Sequence, residues 1–115
     1  MGQTARFQET LRRLAIFDEG LVEAEFGLPD QPTLDARTMA LLQVAVSVAI
    51  GSSAVCLQWS AARALAAGAS KDEITDVLLA IIPVAGLGRI VSAAPAVATA
   101  LEYDIDAALE EPDDR

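Results

Sequence analysis

Residues that start and stop α-helices alternate along the middle of the chain, and this alternation constrains its fold more than any other feature. Asp35, a preferred N-cap residue, precedes an apolar run that ends at Gly51. Either Ser52 or Ser53 can cap the next helix, and Gly68 can end it because glycine tolerates the left-handed C-cap conformation. The pattern predicts two consecutive helices joined by a tight turn.

The same signals continue in the second half of the chain. Ser70 and Glu73 have the spacing of a capping box and precede an apolar helix that we expect to end near Val84. Residues 87–101 predict another helix, kinked or restarted at Pro95. Two more helices are therefore expected here.

Shorter helices are predicted at both ends of the chain. Residues 4–17 and 18–26 are amphipathic, and Asp104 can cap a last short helix. No segment shows the alternation typical of a strand. The 115 residues suit one domain, and 53% of them are hydrophobic, many being alanine. We expect an all-α, single-domain bundle of about six helices over residues 1–115, with enough apolar surface for a homo-oligomer.

Charge and composition exclude several classes of function. The net charge is −9 and the eight basic residues are scattered, which argues against nucleic acid and anionic membranes as partners. The chain has no histidine and no calcium-binding loop, so we expect no metal. Gly86 and Gly88 follow a helix instead of a strand, which excludes a dinucleotide fingerprint, and we expect no cofactor.

One apolar run, residues 77–101, has the length of a membrane span. It contains two prolines, two glycines and Arg89, so two helices joined at the glycines fit better, and we expect no membrane association. The single cysteine allows no intramolecular disulfide, and the first ten residues contain no apolar stretch typical of a signal peptide. We expect a cytoplasmic location.

Three segments carry a resemblance to a known family: residues 34–51, 56–91 and 100–111. In order they give a helix, a glycine turn, a capping box and an apolar helix, and they cover most of residues 34–111, where the match is strongest. The chain resembles the carboxymuconolactone decarboxylase-like proteins, which include the alkyl hydroperoxidase D-like peroxidases. The resemblance implies an all-α fold assembled as dimers, trimers or hexamers, with sites in pockets lined by neighbouring helices.

Peroxidases of that family have a glutamate, then Cys-x-x-Cys, then a histidine four residues after the second cysteine. With Gly68 as the anchor, the resemblance places Cys56 at the second cysteine. Ser53 then stands at the first cysteine, Ser60 at the histidine, and Leu41 at or near the glutamate. One residue of the four is retained.

Cys56 is the candidate catalytic residue. Its place in the first turn of a helix favours the thiolate, although no histidine is available to activate it. A single cysteine on an alanine-rich helix is more often a small buried hydrophobe. In the family mechanism a second thiol resolves the sulfenic acid, so this chain would need an external thiol or Cys56 of another subunit. We therefore expect the family activity to be weak or lost.

Four residues share one helical stripe with the thiol or border it, and they are the pocket-lining candidates. Ser53, Cys56, Ser60 and Arg63 recur at helical spacing, with Trp59 at the edge. Taken singly, each serine is better explained as a cap or a packing residue. The tryptophan could equally be a core or interface anchor, and the arginine a solvated helix end.

Two further polar residues stand in apolar surroundings. Arg89 has apolar neighbours on both sides, so we expect a carboxylate of a neighbouring helix, or a ligand anion, to pair with it. Gln43 lies in an apolar helix and offers hydrogen bonds to the same region, but it cannot act as a base.

Two functions follow from these observations. The first is a family enzyme, either a thiol-dependent peroxidase or oxidoreductase or a lyase, acting on a small organic substrate. The second is a catalytically inactive helical oligomer that serves as a binding or assembly module.

Overall fold

The computed structural model describes residues 5–21 and 32–110. Contacts along the chain divide it into two compact units, with the division between Thr33 and Leu34. Seven helices lie in the described residues and no strand does, so the prediction of an all-α fold is confirmed. No helix in those residues has the length and apolar character needed to cross a membrane.

The described part of the first unit contains helix α1, Arg6–Ala15. Its apolar residues Phe7, Leu11 and Leu14 are 65%, 60% and 54% exposed. After the helix, the Arg13 guanidinium donates a 2.8 Å hydrogen bond to Asp18. This bond lowers the pKa of the Asp18 carboxyl from its usual value.

The second unit contains the other six helices, which follow one another through short turns. They are α2 Ala36–Ala49, α3 Ala54–Ala66, α4 Lys71–Ala80, α5 Ile82–Ala85, α6 Leu87–Ala100 and α7 Ile105–Glu110.

Side-chain caps start the first three helices of this unit, as the sequence predicts. Asp35 accepts the backbone N–H three residues further on at 2.7 Å, and Ser53 does the same at 3.3 Å. Ser70 and Glu73 each accept the other's backbone N–H at 2.9 Å, which completes the capping box. These bonds satisfy amides that have no partner within the helix.

The predicted helix boundaries are wrong around the prolines. The helix expected to end near Val84 ends at Ala80, and the short helix α5 follows with Pro83 in its first turn, where a missing N–H costs nothing. Gly86, with φ of +90°, joins α5 to α6. Helix α6 is continuous through Pro95 and does not restart there.

The core of the second unit lies where α2, α3, α4 and α6 meet. Ile74 of α4 is fully buried, and Val44 and Val48 of α2 are each 1% exposed. From α3 the core receives Ala61 and Ala64, both fully buried. Because alanine leaves little side chain between the helices, α3 can approach its neighbours closely.

Candidate functional site

Cys56 lies in the first turn of α3 and is exposed. Its backbone N–H donates to Oγ of Ser53 at 3.3 Å. The side chains that bury α3 include those of Leu57 and Ala61, and because each residue turns the helix by about 100°, Cys56 faces away from them. The sequence argument that favours a buried cysteine is therefore not met.

Trp59 and Arg63 contact each other near Cys56 on the exposed surface of α3. The Trp59 side chain is 68% exposed, so the interpretation of it as a core residue is wrong. The Arg63 guanidinium lies 5.5 Å from the ring centroid, within the range of a cation–π interaction. Arg63 is exposed, as expected of a solvated helix end.

Three of the remaining positions from the sequence analysis are more buried than the thiol. Ser60 is half-buried on α3, and Gln43 is half-buried on α2. Leu41, at the position of the family glutamate, packs against the core. Among the described residues, no side chain forms a hydrogen bond with Sγ of Cys56. Within the described residues, the contact shown for Cys56 is thus with its cap Ser53, and no acid or base hydrogen-bonds to its sulfur.

Arg89 is exposed in the first turn of α6 and lies over the turn between α2 and α3. A Cβ atom added to Gly51 would collide with Nη1 of Arg89, and the φ of Gly51 is +73°. The positive φ favours glycine at this position, whereas the guanidinium is the exposed end of a flexible side chain and can move aside. Arg89 forms no ion pair or hydrogen bond with the rest of the described chain, so the predicted carboxylate partner is absent there.

A groove of 280 Å³ lies between α3 and α6. Four of its lining residues come from the start of α3 and the turn before it, and four come from α6. They are Ser52, Ala54, Leu57, Gln58, Ser92, Pro95, Ala96 and Thr99. None of them is charged. Cys56 does not line this groove, because its side chain points to another side of α3.

Sequence reasoning missed the polar residues of this groove. Ser92 and Thr99 are seven positions apart on α6, a spacing that puts them on one face, and Gln58 and Ser52 are near the start of α3. That spacing is the signal in the sequence that could have indicated a polar face on α6. It does not show which helix packs against that face, so the groove is seen only once α3 and α6 are in contact.

A second groove, of 350 Å³, lies beside α7 and carries the carboxylates of Glu102, Asp104 and Asp106. Asp104 accepts the N–H of Ala107 at 3.0 Å and so serves as the predicted cap of α7. Within residues 5–21 and 32–110, no three metal-binding side chains are grouped closely enough to hold a metal ion.

Comparison with known proteins supports the family suggested by the sequence. Residues 8–99 match the Carboxymuconolactone decarboxylase family. No curated protein and no solved structure matches the chain. The family match extends over most of both compact units and includes α1 to α6 except for the first two residues of α1 and the last residue of α6. The chain belongs to the carboxymuconolactone decarboxylase family.

Proposed function

We propose that this protein is a family member with a single reactive thiol, Cys56, which reduces organic hydroperoxides slowly with the help of an external thiol. The observation that supports this proposal is the exposure of Cys56 in the first turn of α3. The N-terminal end of a helix carries positive partial charge, which favours the thiolate, the form that reacts. A substrate can reach the sulfur without any rearrangement of the core.

The reaction proceeds in three balanced steps. The Cys56 thiolate attacks the distal peroxide oxygen, so an S–O bond forms and the O–O bond breaks. The sulfur becomes a sulfenic acid, and the alkoxide leaving group takes a proton from solvent to become an alcohol. A small thiol then forms a mixed disulfide with release of water. A second such thiol regenerates Cys56 and leaves as the small disulfide.

The surroundings of Cys56 explain why the activity is expected to be slow. The chain contains no histidine and no second cysteine, so proton transfer and disulfide formation both depend on small molecules. A reducing compartment supplies such thiols, and we place the protein in the cytoplasm for that reason.

Peroxide consumption by matched variants tests this proposal. With cumene hydroperoxide and dithiothreitol, Cys56→Ala should fall to the rate without protein, whereas Ser60→Ala should keep the wild-type rate. Dimedone should label the wild-type protein once, at Cys56, after a single addition of peroxide. Equal turnover by wild type and Cys56→Ala would exclude the thiol mechanism.

The alternative is a binding or assembly module without catalysis. It is favoured by the lack of any described acid or base in hydrogen-bond contact with Cys56. In that case neither peroxide consumption nor dimedone labelling should exceed the level of denatured protein at equal thiol concentration.

We also propose that the protein is a homo-oligomer, and the exposed side of α2 supports this. Leu42, Val46 and Ile50 recur every four residues and are 51%, 58% and 67% exposed, while the opposite side of α2 is buried in the core. A helix that is apolar all round is typical of a buried position. The stripe carries no charged residue, so a second copy of this chain can cover it without burying a charge of the stripe.

Light scattering coupled to size exclusion tests the oligomer. Val46→Glu should lower the molar mass towards that of one 12.0 kDa chain. Thr75→Glu adds the same charge at an exposed position of α4 and should leave the mass unchanged. A monomeric wild type would refute the proposal.

A further inference from the structure

We propose that the groove between α3 and α6 binds a small carboxylate with an apolar body, with Arg89 holding the carboxylate at the end of the groove next to Gly51. This binding site is separate from Cys56 and does not depend on thiol chemistry.

Arg89 supplies the recognition group. Its guanidinium is exposed and lies across Gly51, so close that a Cβ atom there would collide with it. Within the described part of the chain no carboxylate pairs with it, and its five N–H donors match the two oxygens of a carboxylate. The guanidinium is therefore free to take an anion.

Arg89 is close to residues that line both walls of the groove. Ser52, which lines the groove, is the residue after Gly51, over which the guanidinium lies. Ser92, on the other wall, follows Arg89 by three residues on α6 and so lies on the same side of that helix. Arg89 does not line the groove itself, and these two neighbours put its guanidinium next to one end of the groove.

The walls themselves suit an uncharged, partly apolar body. Ala54, Leu57, Pro95 and Ala96 give apolar surface, while the hydroxyl and amide groups of the other four lining residues offer hydrogen bonds. No lining residue is acidic, although the whole chain has a net charge of −9. The second groove shares Pro95 and Thr99 with this one, so its carboxylates border the end away from Arg89. An anion therefore meets the least repulsion at the Arg89 end.

The size of the groove limits the ligand. Its volume of 280 Å³ lies just below the range of about 300–1,000 Å³ found for drug-sized ligands. A single ring or a short chain fits this space. Benzoate is a suitable probe, and benzamide has the same shape without the charge.

Titration of ¹⁵N-labelled full-length protein with each probe, followed by NMR, tests the site. Benzoate should shift the backbone amides of Ser52, Ala54 and Ser92 and bind about tenfold more tightly than benzamide. Arg89→Gln should remove this preference, and Arg89→Lys should restore part of it. Arg63→Gln makes the same charge change at an exposed position and should leave benzoate affinity within about twofold.

Two further variants separate this site from the rest of the molecule. Ser92→Leu, at the exposed edge of the groove, should weaken both probes, and Cys56→Ala should weaken neither. Equal affinity for benzoate and benzamide would overturn the proposal. The proposal would also be overturned if Arg63→Gln lost as much benzoate affinity as Arg89→Gln, or if benzoate shifted amides outside the groove. Because these measurements do not involve the thiol, their outcome is independent of peroxide turnover.

Discussion

Two sides of helix α3 differ in their surroundings: one is exposed to solvent, and the other forms a wall of the groove against α6. One side carries the residues recognised from the sequence, with the exposed Cys56 and the Arg63 guanidinium over Trp59. Another side carries Leu57 and Gln58, which line the groove against α6. The chemically reactive group and this concave surface are therefore on separate sides of one helix.

This difference shows how one helix can serve two purposes. A nucleophile needs access, which the exposed side gives it. A ligand site needs walls, and these arise only where a second helix packs alongside. Substitutions on one side should therefore leave the properties of the other unchanged.

The largest contrast is expected in stability. Leu57 is 6% exposed and Val55, two residues earlier, is 75% exposed. Leu57→Ala should lower the free energy of unfolding by about 2–5 kcal/mol, because it leaves a cavity beside the core. Val55→Ala should change it by less than about 0.5 kcal/mol. Urea denaturation measures both, and similar losses would mean that Val55 is covered in the assembled protein.

A smaller contrast is expected between two serines of α3. Ser53→Ala removes the hydroxyl that accepts the Cys56 N–H and should cost about 1 kcal/mol in the free energy of unfolding. Ser60 makes no such bond, and Ser60→Ala should cost less than about 0.5 kcal/mol. Equal unfolding midpoints for Ser53→Ala and wild type would show that the cap does not contribute.

The smallest effect is expected in the loss of stability at acid pH, which should differ between the aspartate cap of α2 and the serine cap of α3. The Thr38 side chain and N–H donate to the Asp35 carboxylate and lower its pKa from the usual value. Stabilisation by a carboxylate with a lowered folded-state pKa is complete above its unfolded pKa and is lost as the pH falls through the folded one. Asp35→Asn keeps a capping side chain and should reduce the fall in urea midpoint below about pH 4.

The matched control for this pH effect is Ser53→Ala, because a serine cap does not titrate. It should lower the urea midpoint by the same amount at neutral and acid pH. An unchanged acid response in Asp35→Asn would assign the loss of stability to other carboxylates.

The local parts of the fold were open to prediction from sequence. Caps such as Asp35 and the pair Ser70 and Glu73 act within one helical turn, so their spacing is sufficient to identify them. The breaks at prolines were less predictable. Pro83 starts a new short helix whereas Pro95 is accommodated inside a long one, and the packing around each proline decides between these outcomes.

The candidate site was predicted only on one side of α3. The family resemblance identified Cys56, but its exposure depends on which side of the helix faces the core. The sequence predicts a carboxylate or a ligand anion as the partner of Arg89, whereas the structure has the backbone of Gly51 beneath the guanidinium. Contacts of this kind join residues 38 positions apart (89 − 51) and have no signature in either local sequence.

The contact between Gly51 and Arg89 also has a consequence for how the sequence can diverge. A side chain at position 51 would occupy the space that the guanidinium fills, in addition to straining the turn. The guanidinium is the exposed end of a flexible side chain and can move aside, so the positive φ of the turn is the constraint that keeps glycine at position 51. Related proteins should therefore keep glycine, or else asparagine or aspartate, at this turn whether or not position 89 is arginine.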